Sequence, residues 1–305
     1  MKNLFTVLLS LLIINQGFTQ DLDSLDAVDS LSQLIVKDTT YWTNEFSVGL
    51  NFNQAAFSGN WKAGGVNSIA FGSIAAGKAN YAKGKLSWDN QVELMYGIVK
   101  NEGQQVRKSN DRIFFDSKVG YKAGGNWSYF GSLNFMTQFT DGYEYGPDDQ
   151  RSLISGFFAP AFLTSGIGME YKPNQSFALR IAPFSPRFTF VTDPTIIQNV
   201  PTNYGVPDGQ TVRTEWLALQ LYATFDKEIT ENLTIKSRYQ MFANYETLDF
   251  KTIDHRLDVT LIAKITRFVD VTFTSINVYD FDMDPGIQYS QALALGILYK
   301  VSNKK

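Results

Sequence analysis

One histidine, His255, stands in 305 residues, and there is no cysteine. A lone imidazole and no thiolate exclude a metal centre built on several nitrogen or sulfur ligands. What His255 could still do is hydrolysis. Asp254 and Asp258 flank it, the residue types of a His–Asp protease pair, and Ser275 on the next segment is a candidate nucleophile for a Ser–His hydrolase. Neither spacing is specific, because Asp and His are common at strand ends and no serine adjoins His255. The sequence therefore reads His255 as a rim residue in water. A second group offers oxygen only. Asp141, Glu144, Asp148 and Asp149 are hard donors suited to calcium, but their spacing lacks the EF-hand pattern, so a solvated loop with no metal and no cofactor is expected. Tyr143, Tyr145, Trp61 and Trp216 are suited to contacts with a protein or a glycan.

A third group is the most ordered. Asp89 and Glu93 are followed by Arg112, Asp116 and Lys118, then Glu170 and Arg180, then Lys236 and Arg238, and then Arg256 and Asp258. Within each stretch the charges lie an even number of residues apart, so an extended chain points them to one side. Charges of both signs on the inside of a small barrel have two uses. They cross-link the wall and fill the lumen, or they line a narrow path that selects solutes. Phe114, Phe130, Phe242 and Ile262 share that parity and would take up space that water needs.

The elements that must position these residues follow from periodicity. Met1 to Thr19 reads as a secretory signal, with Lys2 before an apolar run from Leu4 to Ile14 that is too short to span about 30 Å of hydrocarbon. Residues 20–41 read as an acidic periplasmic lead with few large apolar side chains. From Trp42 onward the pattern alternates with a period of two: Phe46, Val48, Leu50 and Phe52 against Ser47, Gly49 and Asn51, or Leu257, Val259 and Leu261 against Arg256, Asp258 and Thr260. The alternating stretches run to roughly 10–16 residues, longer than the ~5–6 of soluble sheets and enough for a tilted membrane strand. Twelve strands fit, at 42–57, 66–81, 86–99, 112–121, 127–139, 153–171, 176–191, 213–225, 233–245, 255–265, 269–279 and 287–301. A count of 10 or 14 is the alternative, because Pro183 and Pro186 break the pattern. The connections alternate between long (58–65, 100–111, 140–152, 192–212, 246–254, 280–286) and short (82–85, 122–126, 172–175, 226–232, 266–268). That is the signature of an all-β, up-and-down antiparallel transmembrane barrel over 42–301, with long external loops, short periplasmic turns and a polar tail at 302–305.

Composition agrees with this organisation. The chain holds 24 Phe, 15 Tyr and 23 Gly, as many strands joined by tight turns require. With 27 Lys and Arg against 30 Asp and Glu, no basic field exists to attract nucleic acid. Most strands that descend to a short turn end in an aromatic with lysine just beyond: Tyr81, Tyr121, Tyr171, Phe225 and Tyr299. All five lie on the apolar parity, where an interfacial girdle sits.

The run Phe57-Ser58-Gly59-Asn60-Trp61-Lys62-Ala63-Gly64-Gly65 and the element Trp88-Asp89-Asn90 are followed by Tyr96-Gly97, Asn110-Asp111-Arg112, Thr137-Gln138-Phe139, Ala159-Pro160 and Gly166-Ile167-Gly168. Together these resemble a Bacteroidota family that carries only a domain-of-unknown-function label. Trp61, Gly64, Gly65, Trp88, Asp89 and Asn90 are the residues that carry the match. The resemblance implies an outer-membrane barrel and no activity.

The expectation is thus a non-enzymatic protein of the cell outer membrane, acting as a structural, assembly or partner-binding subunit. A narrow passive channel is the alternative, and an outer-membrane hydrolase is third. Its surroundings would be outer-membrane lipid and lipopolysaccharide, with another outer-membrane protein or complex as partner and no nucleic acid. The topology is testable on a chain without native cysteine. Cysteines at Gly142 or Pro207 should react on intact cells with a membrane-impermeant thiol reagent, whereas cysteines at Ala123 or Asn174 should react only after the outer membrane is opened. The opposite labelling would reverse the two ends.

Overall fold

The computed structural model describes residues 41–60, 62, 65–146, 150–266 and 269–302. The expected signal, all but the last residue of the acidic lead, Trp61, Gly64, Asp148, Asp149 and residues 303–305 of the tail lie outside the described residues.

Alternating side chains form long strands. The first five are β1 (Trp42–Ala55), β2 (Ser68–Lys83), β3 (Leu86–Asn101), β4 (Arg107–Gly124) and β5 (Trp127–Thr137). A loop hairpin follows, β6 (Gly142–Tyr145) with β7 (Arg151–Ser155), and the chain returns to the wall as β8 (Ala161–Tyr171). Next come β9 (Phe177–Phe184) and β10 (Arg187–Phe190), a short helix α1 (Pro194–Asn199), then β11 (Val212–Glu215) and β12 (Ala218–Thr230). The wall is completed by β13 (Leu233–Asn244), β14 (Asp254–Lys264), β15 (Val269–Asp280) and β16 (Asp284–Ser302).

Each wall strand pairs antiparallel with its neighbours, and the ring closes where β1 meets β16, from Glu45 opposite Ser302 to Phe52 opposite Leu295. Twelve strands make the wall: β1 to β5, β8, β9 and β12 to β16. β10 and β11 continue β9 and β12 past a break and pair with each other, while β10 also pairs with β8. The expected twelve-stranded up-and-down barrel is therefore the fold.

Several boundaries differ from the sequence reading, each for a local reason. The stretch 153–171 is not one strand. Residues 151–155 belong to the loop hairpin, and Gly156 to Pro160 form a turn with Phe158 at φ +59°. The strand expected at 176–191 breaks at Ser185-Pro186, because proline offers no N–H to the ladder. The loops expected long at 100–111 and 280–286 are short, since β4 starts at Arg107 and β16 at Asp284. Gly168 sits where β8 meets β9 at a register shift, and a Cβ there would strike the Ile181 backbone. Gly142 is buried against Ser155 and Lys108, so Pro207, which is exposed, is the usable external labelling site.

Parity divides the wall. Inward positions are odd on β1 and β3 and even on the other wall strands, as the register places Glu45, Lys78, Gln91 and Asp116 in one row. The outward set is apolar and open, with Leu50, Ile167, Leu293 and Ile297 each at least 60% exposed. Solvent exposure of that many large hydrophobic side chains is untenable in water and normal against lipid.

Two aromatic bands bound this surface. At the short-turn end Trp42 packs on Tyr81 (5.3 Å) and Trp88 (5.8 Å), and Trp127 packs on Tyr171 (4.9 Å). Tyr121, Phe225 and Tyr299 also face out, and Tyr121 is more than half exposed. At the long-loop end Phe52 packs on Phe71 (5.1 Å), and a ladder runs from Phe135 through Phe158, Phe190 and Phe188 to Trp216. Ten residues separate Trp42 from Phe52 along β1, roughly 33 Å of strand, or about 25 Å once tilted by ~40°, which matches the apolar band of a membrane barrel.

Leu94→Arg, in the middle of this band, should destabilise the folded barrel by about 2–4 kcal/mol. Asn80→Arg, which faces inward opposite Asp89, should not. Heat-modifiability on gels, or urea unfolding in detergent, compares the two; equal behaviour would mean that the wall does not have two chemically distinct faces.

Candidate functional site

The interior is the candidate site, and its geometry follows from the alternation. Strands β4 and β14 lie six places apart on a ring of twelve, as do β3 and β13, so each pair faces across the lumen. Arg112 on β4 donates to Glu93 on β3, and its Nη1 reaches Asp258 Oδ2 on β14 at 3.2 Å. Arg238 on β13 lies 3.6 Å from Glu93, and its guanidinium sits 4.8 Å from the centre of the Phe114 ring on β4. Arg256 Nε donates to Asp258 at 2.9 Å. Opposite walls are thus joined by direct ion pairs, and Phe114, 2% exposed, fills the space beneath them.

A second cluster lies one row nearer the short turns. Lys118 Nζ donates to both oxygens of Glu170 at 2.6 Å and lies 3.1 Å from Asp89. Arg180 donates to both oxygens of Asp116 at 3.0 and 3.2 Å and to Glu170 at 3.4 Å, with Tyr222 against its face. Phe130 is buried on the same side. The two clusters hold five cations (Arg112, Lys118, Arg180, Arg238, Arg256) and five anions (Asp89, Glu93, Asp116, Glu170, Asp258). Their charges cancel. In a poorly hydrated interior each group is tolerable only because its partner is present, and removing one partner of such a pair costs about 3–5 kcal/mol.

The long-loop mouth carries a third cluster that the sequence did not reveal. Arg187, just past the proline break, donates to Glu215 at 2.9 Å and to Asp254 at 2.6 Å, with its guanidinium 3.6 Å from the Phe242 ring centre. Arg213 on β11 pairs with Asp282 in the turn between β15 and β16. Above this mouth the long loops build a small core of their own: Ala159, Val191, Ile196 and Val206, packed by Leu153, Ile197, Val200 and Tyr204. Asp193 caps α1 by accepting from Thr195 N at 2.7 Å, which aims Ile196 into that core. The Tyr204 hydroxyl donates to Ile154 O at 2.5 Å, and burial pushes its phenol up to about 12. Asp111 ties the other side down, accepting from the backbone of Phe139 and Thr140 and from Lys108. The stretch 192–212 read as a long loop alone; the apolar pair Ile196-Ile197 with Val200 was the available signal for a folded cap.

Of the eleven inward charges singled out from sequence, ten meet in the two inner clusters. Lys236 shares their parity but is exposed near the short turns, opposite Asp226. Ile262 is only half-buried, whereas Phe242 is buried. The motif Trp88-Asp89-Asn90 divides between faces. Asp89 turns inward to Lys118, while on the outer face Trp88 Nε1 donates to Ser117 Oγ, Ser117 Oγ to Asn90 Oδ1 and Asn90 Nδ2 to Ala79 O. This relay satisfies polar groups on a lipid-facing wall and staples three strands. Gly65 takes φ +149° with the Phe57 ring against it.

The hydrolytic constellation does not assemble. His255 faces outward, between Tyr239 (hydroxyl to Nδ1 2.8 Å) and Tyr279, while Asp254 and Asp258 face inward on the same strand. Ser275 pairs with Val259, four residues along β14 from His255. Among the described residues no group of three or more His, Asp or Glu side chains is arranged to hold a metal; Asp141 instead faces the Tyr143 hydroxyl.

Residues 52–143 match the model of a protein family of unknown function, DUF3078. The span covers the Phe57 and Trp88 motifs, in agreement with the resemblance drawn from them. No curated protein matches the sequence. Among solved structures, the chain is similar to the COG4313 outer membrane channel from Pseudomonas putida F1, at 10% identity and TM-score 0.39 over 87% of this chain and 97% of that one. The translocator domain of the autotransporter NalP from Neisseria meningitidis gives 10% and 0.31 over 90% and 94%. The P. putida toluene transporter TodX gives 9% and 0.28 over 90% and 91%.

The cross-lumen tie predicts energetic coupling between opposite walls. In a double-mutant cycle of Arg112→Met with Asp258→Asn, followed by urea unfolding in detergent, each single change should destabilise. The pair should cost less than the sum, with a coupling on the order of 0.5–3 kcal/mol. Strict additivity would mean that the two walls do not touch.

Proposed function

We propose that this chain is a non-conducting barrel of the outer membrane whose role is structural or partner-binding, with a lumen sealed rather than open. One observation carries the reading: Arg112–Asp258 and Arg238–Glu93 join strands on opposite sides of the ring, with Phe114 packed against Arg238. A solute path would need those pairs broken, at several kcal/mol each. The folded cap supports the same conclusion, because Arg187 and Arg213 tie it across the mouth. The apolar exterior between two aromatic bands supports placement in a bilayer, with lipid and lipopolysaccharide as the immediate surroundings. The outward placement of His255, away from its carboxylate neighbours, supports a non-enzymatic role. Another outer-membrane protein or complex is the partner class that fits a sealed barrel with a folded external cap.

Purified protein in planar bilayers should give no stable conductance steps. Contaminating porins are controlled by the variant carrying Arg238→Glu and Arg256→Glu, two residues on adjacent strands with inward side chains. Reproducible wild-type steps whose ion preference moves toward cations in that variant would overturn the sealed lumen and make a narrow channel the function.

A further inference from the structure

The loop between β13 and β14, residues 245–253, contributes no residue to the core of the cap. Its anchors belong to the outer face of the wall. The Tyr279 hydroxyl donates to Lys251 O at 3.0 Å, and Tyr279 lies on the outward parity of β15, with its ring 6.4 Å from that of outward-facing His255. The Tyr245 hydroxyl donates to Pro183 O at 3.0 Å, and Tyr245 N donates to Leu217 O at 2.8 Å. The loop is thus held on the side of the barrel where the long-loop aromatic band runs.

Its backbone is fixed. Asp249 caps a single turn at Phe250–Thr252: its carboxylate accepts from Lys251 N at 3.3 Å, and its own N–H donates to Thr252 Oγ1 at 3.2 Å. Thr252 Oγ1 also donates to Thr247 O. A turn closed by reciprocal capping has its backbone polar groups satisfied within the loop. What it displays is apolar. Phe250 is 91% exposed and Leu248 60%, next to exposed Trp216, Leu217 and Tyr245. In water that display is unfavourable, and a fixed loop cannot fold it away.

We infer that this loop is a membrane-seated anchor: Phe250 and Leu248 insert into the acyl–headgroup boundary of the leaflet at the long-loop end, extending the aromatic band beyond the wall. The occupant is the bilayer itself, because the patch is continuous with Trp216, Tyr245, His255 and Tyr279, which already face it. The loop's charges are Glu246, Asp249 and Lys251, so apolar insertion drives the seating and attraction to anionic headgroups does not. The inference rests on the barrel lying in a bilayer.

Spin labels on single introduced cysteines test it in phosphatidylcholine nanodiscs, without interference from native thiols. Labels replace Phe250, Leu248, Leu133 in mid-wall and Asp208 on the exposed cap. Collision rates with oxygen, which concentrates in the bilayer, and with a water-soluble nickel chelate give depth. Labels at 250 and 248 should side with Leu133 in favouring oxygen, and Asp208 should favour nickel. If 250 and 248 side with Asp208 while Leu133 still favours oxygen, the anchor is wrong and the exposed patch awaits a protein partner instead. If Leu133 also favours nickel, the membrane reading itself fails.

Discussion

A bilayer offers no hydrogen-bond partner, so every backbone N–H and C=O that crosses it must be satisfied within the protein. The rest of this structure depends on that constraint. It requires the first strand to find the last, and β1 does so with β16 in unbroken register from Glu45 to Phe52. It also explains how the prolines are accommodated. Pro183 and Pro186 lie where β9 gives way to β10, and the freed groups are taken up locally. Ser165 N donates to Pro186 O, Ser185 N to Ala218 O and Ser185 Oγ to Ser165 O. The same logic accounts for the relay on the outer face, where Trp88, Ser117 and Asn90 satisfy one another instead of facing hydrocarbon unpaired.

Closure has a second consequence. Once the ring is shut, polar residues excluded from the lipid face have only each other. A wall of twelve strands is wider than one whose side chains simply meet, so short residues would leave a water column. Long arginines with carboxylates on facing strands span that width at Arg112–Asp258 and Arg238–Glu93. Neutral clusters are the arrangement such an interior tolerates, since an unpaired charge there would be costly whereas a matched set is close to neutral in its net effect. The positions of Phe114 and Tyr222 under Arg238 and Arg180 add apolar volume and a favourable ring face at the same points.

Strand number, parity, the inward charges and the short-turn girdle were legible in the sequence because each is a period-two property of one contiguous stretch. Leu94 and Glu93 declare their faces by alternation alone. What stayed hidden is which side chains reach across. The strand count sets Arg112 on the fourth strand and Asp258 on the tenth, six places apart, but alternation gives neither the stagger of the strands nor the reach that brings the two side chains to 3.2 Å. The cap was hidden for a related reason. Ala159, Val191, Ile196 and Val206 are spread over some fifty residues, the first two in stretches that read as wall strands and the last two in a long loop, with no shared period to announce a core. His255 shows the converse. Its sequence neighbours Asp254 and Asp258 suggested a pair, and the pleat of the strand sends them to opposite sides of the wall.

The asymmetry of the two ends follows from these parts and bears on where recognition can occur. At the short-turn end the connections are mostly tight, and the aromatics stop nearly level with them. Little protein projects there among the described residues. At the long-loop end the hairpin β6–β7, α1 and the segment around Tyr204 form a packed body held to the mouth by arginines. A loop that served only to connect strands would have no reason to acquire a capped helix, a buried tyrosine hydroxyl or a core of its own. In the sealed-lumen role proposed above, that body could gate bulk solute only if the ion pairs at Glu93 and Asp258 also parted. The cap and the cross-lumen pairs are built from different residues, so the proposed structural or partner-binding role places recognition on the outer body, where folded surface is presented, and leaves the paired charges beneath it to hold the wall.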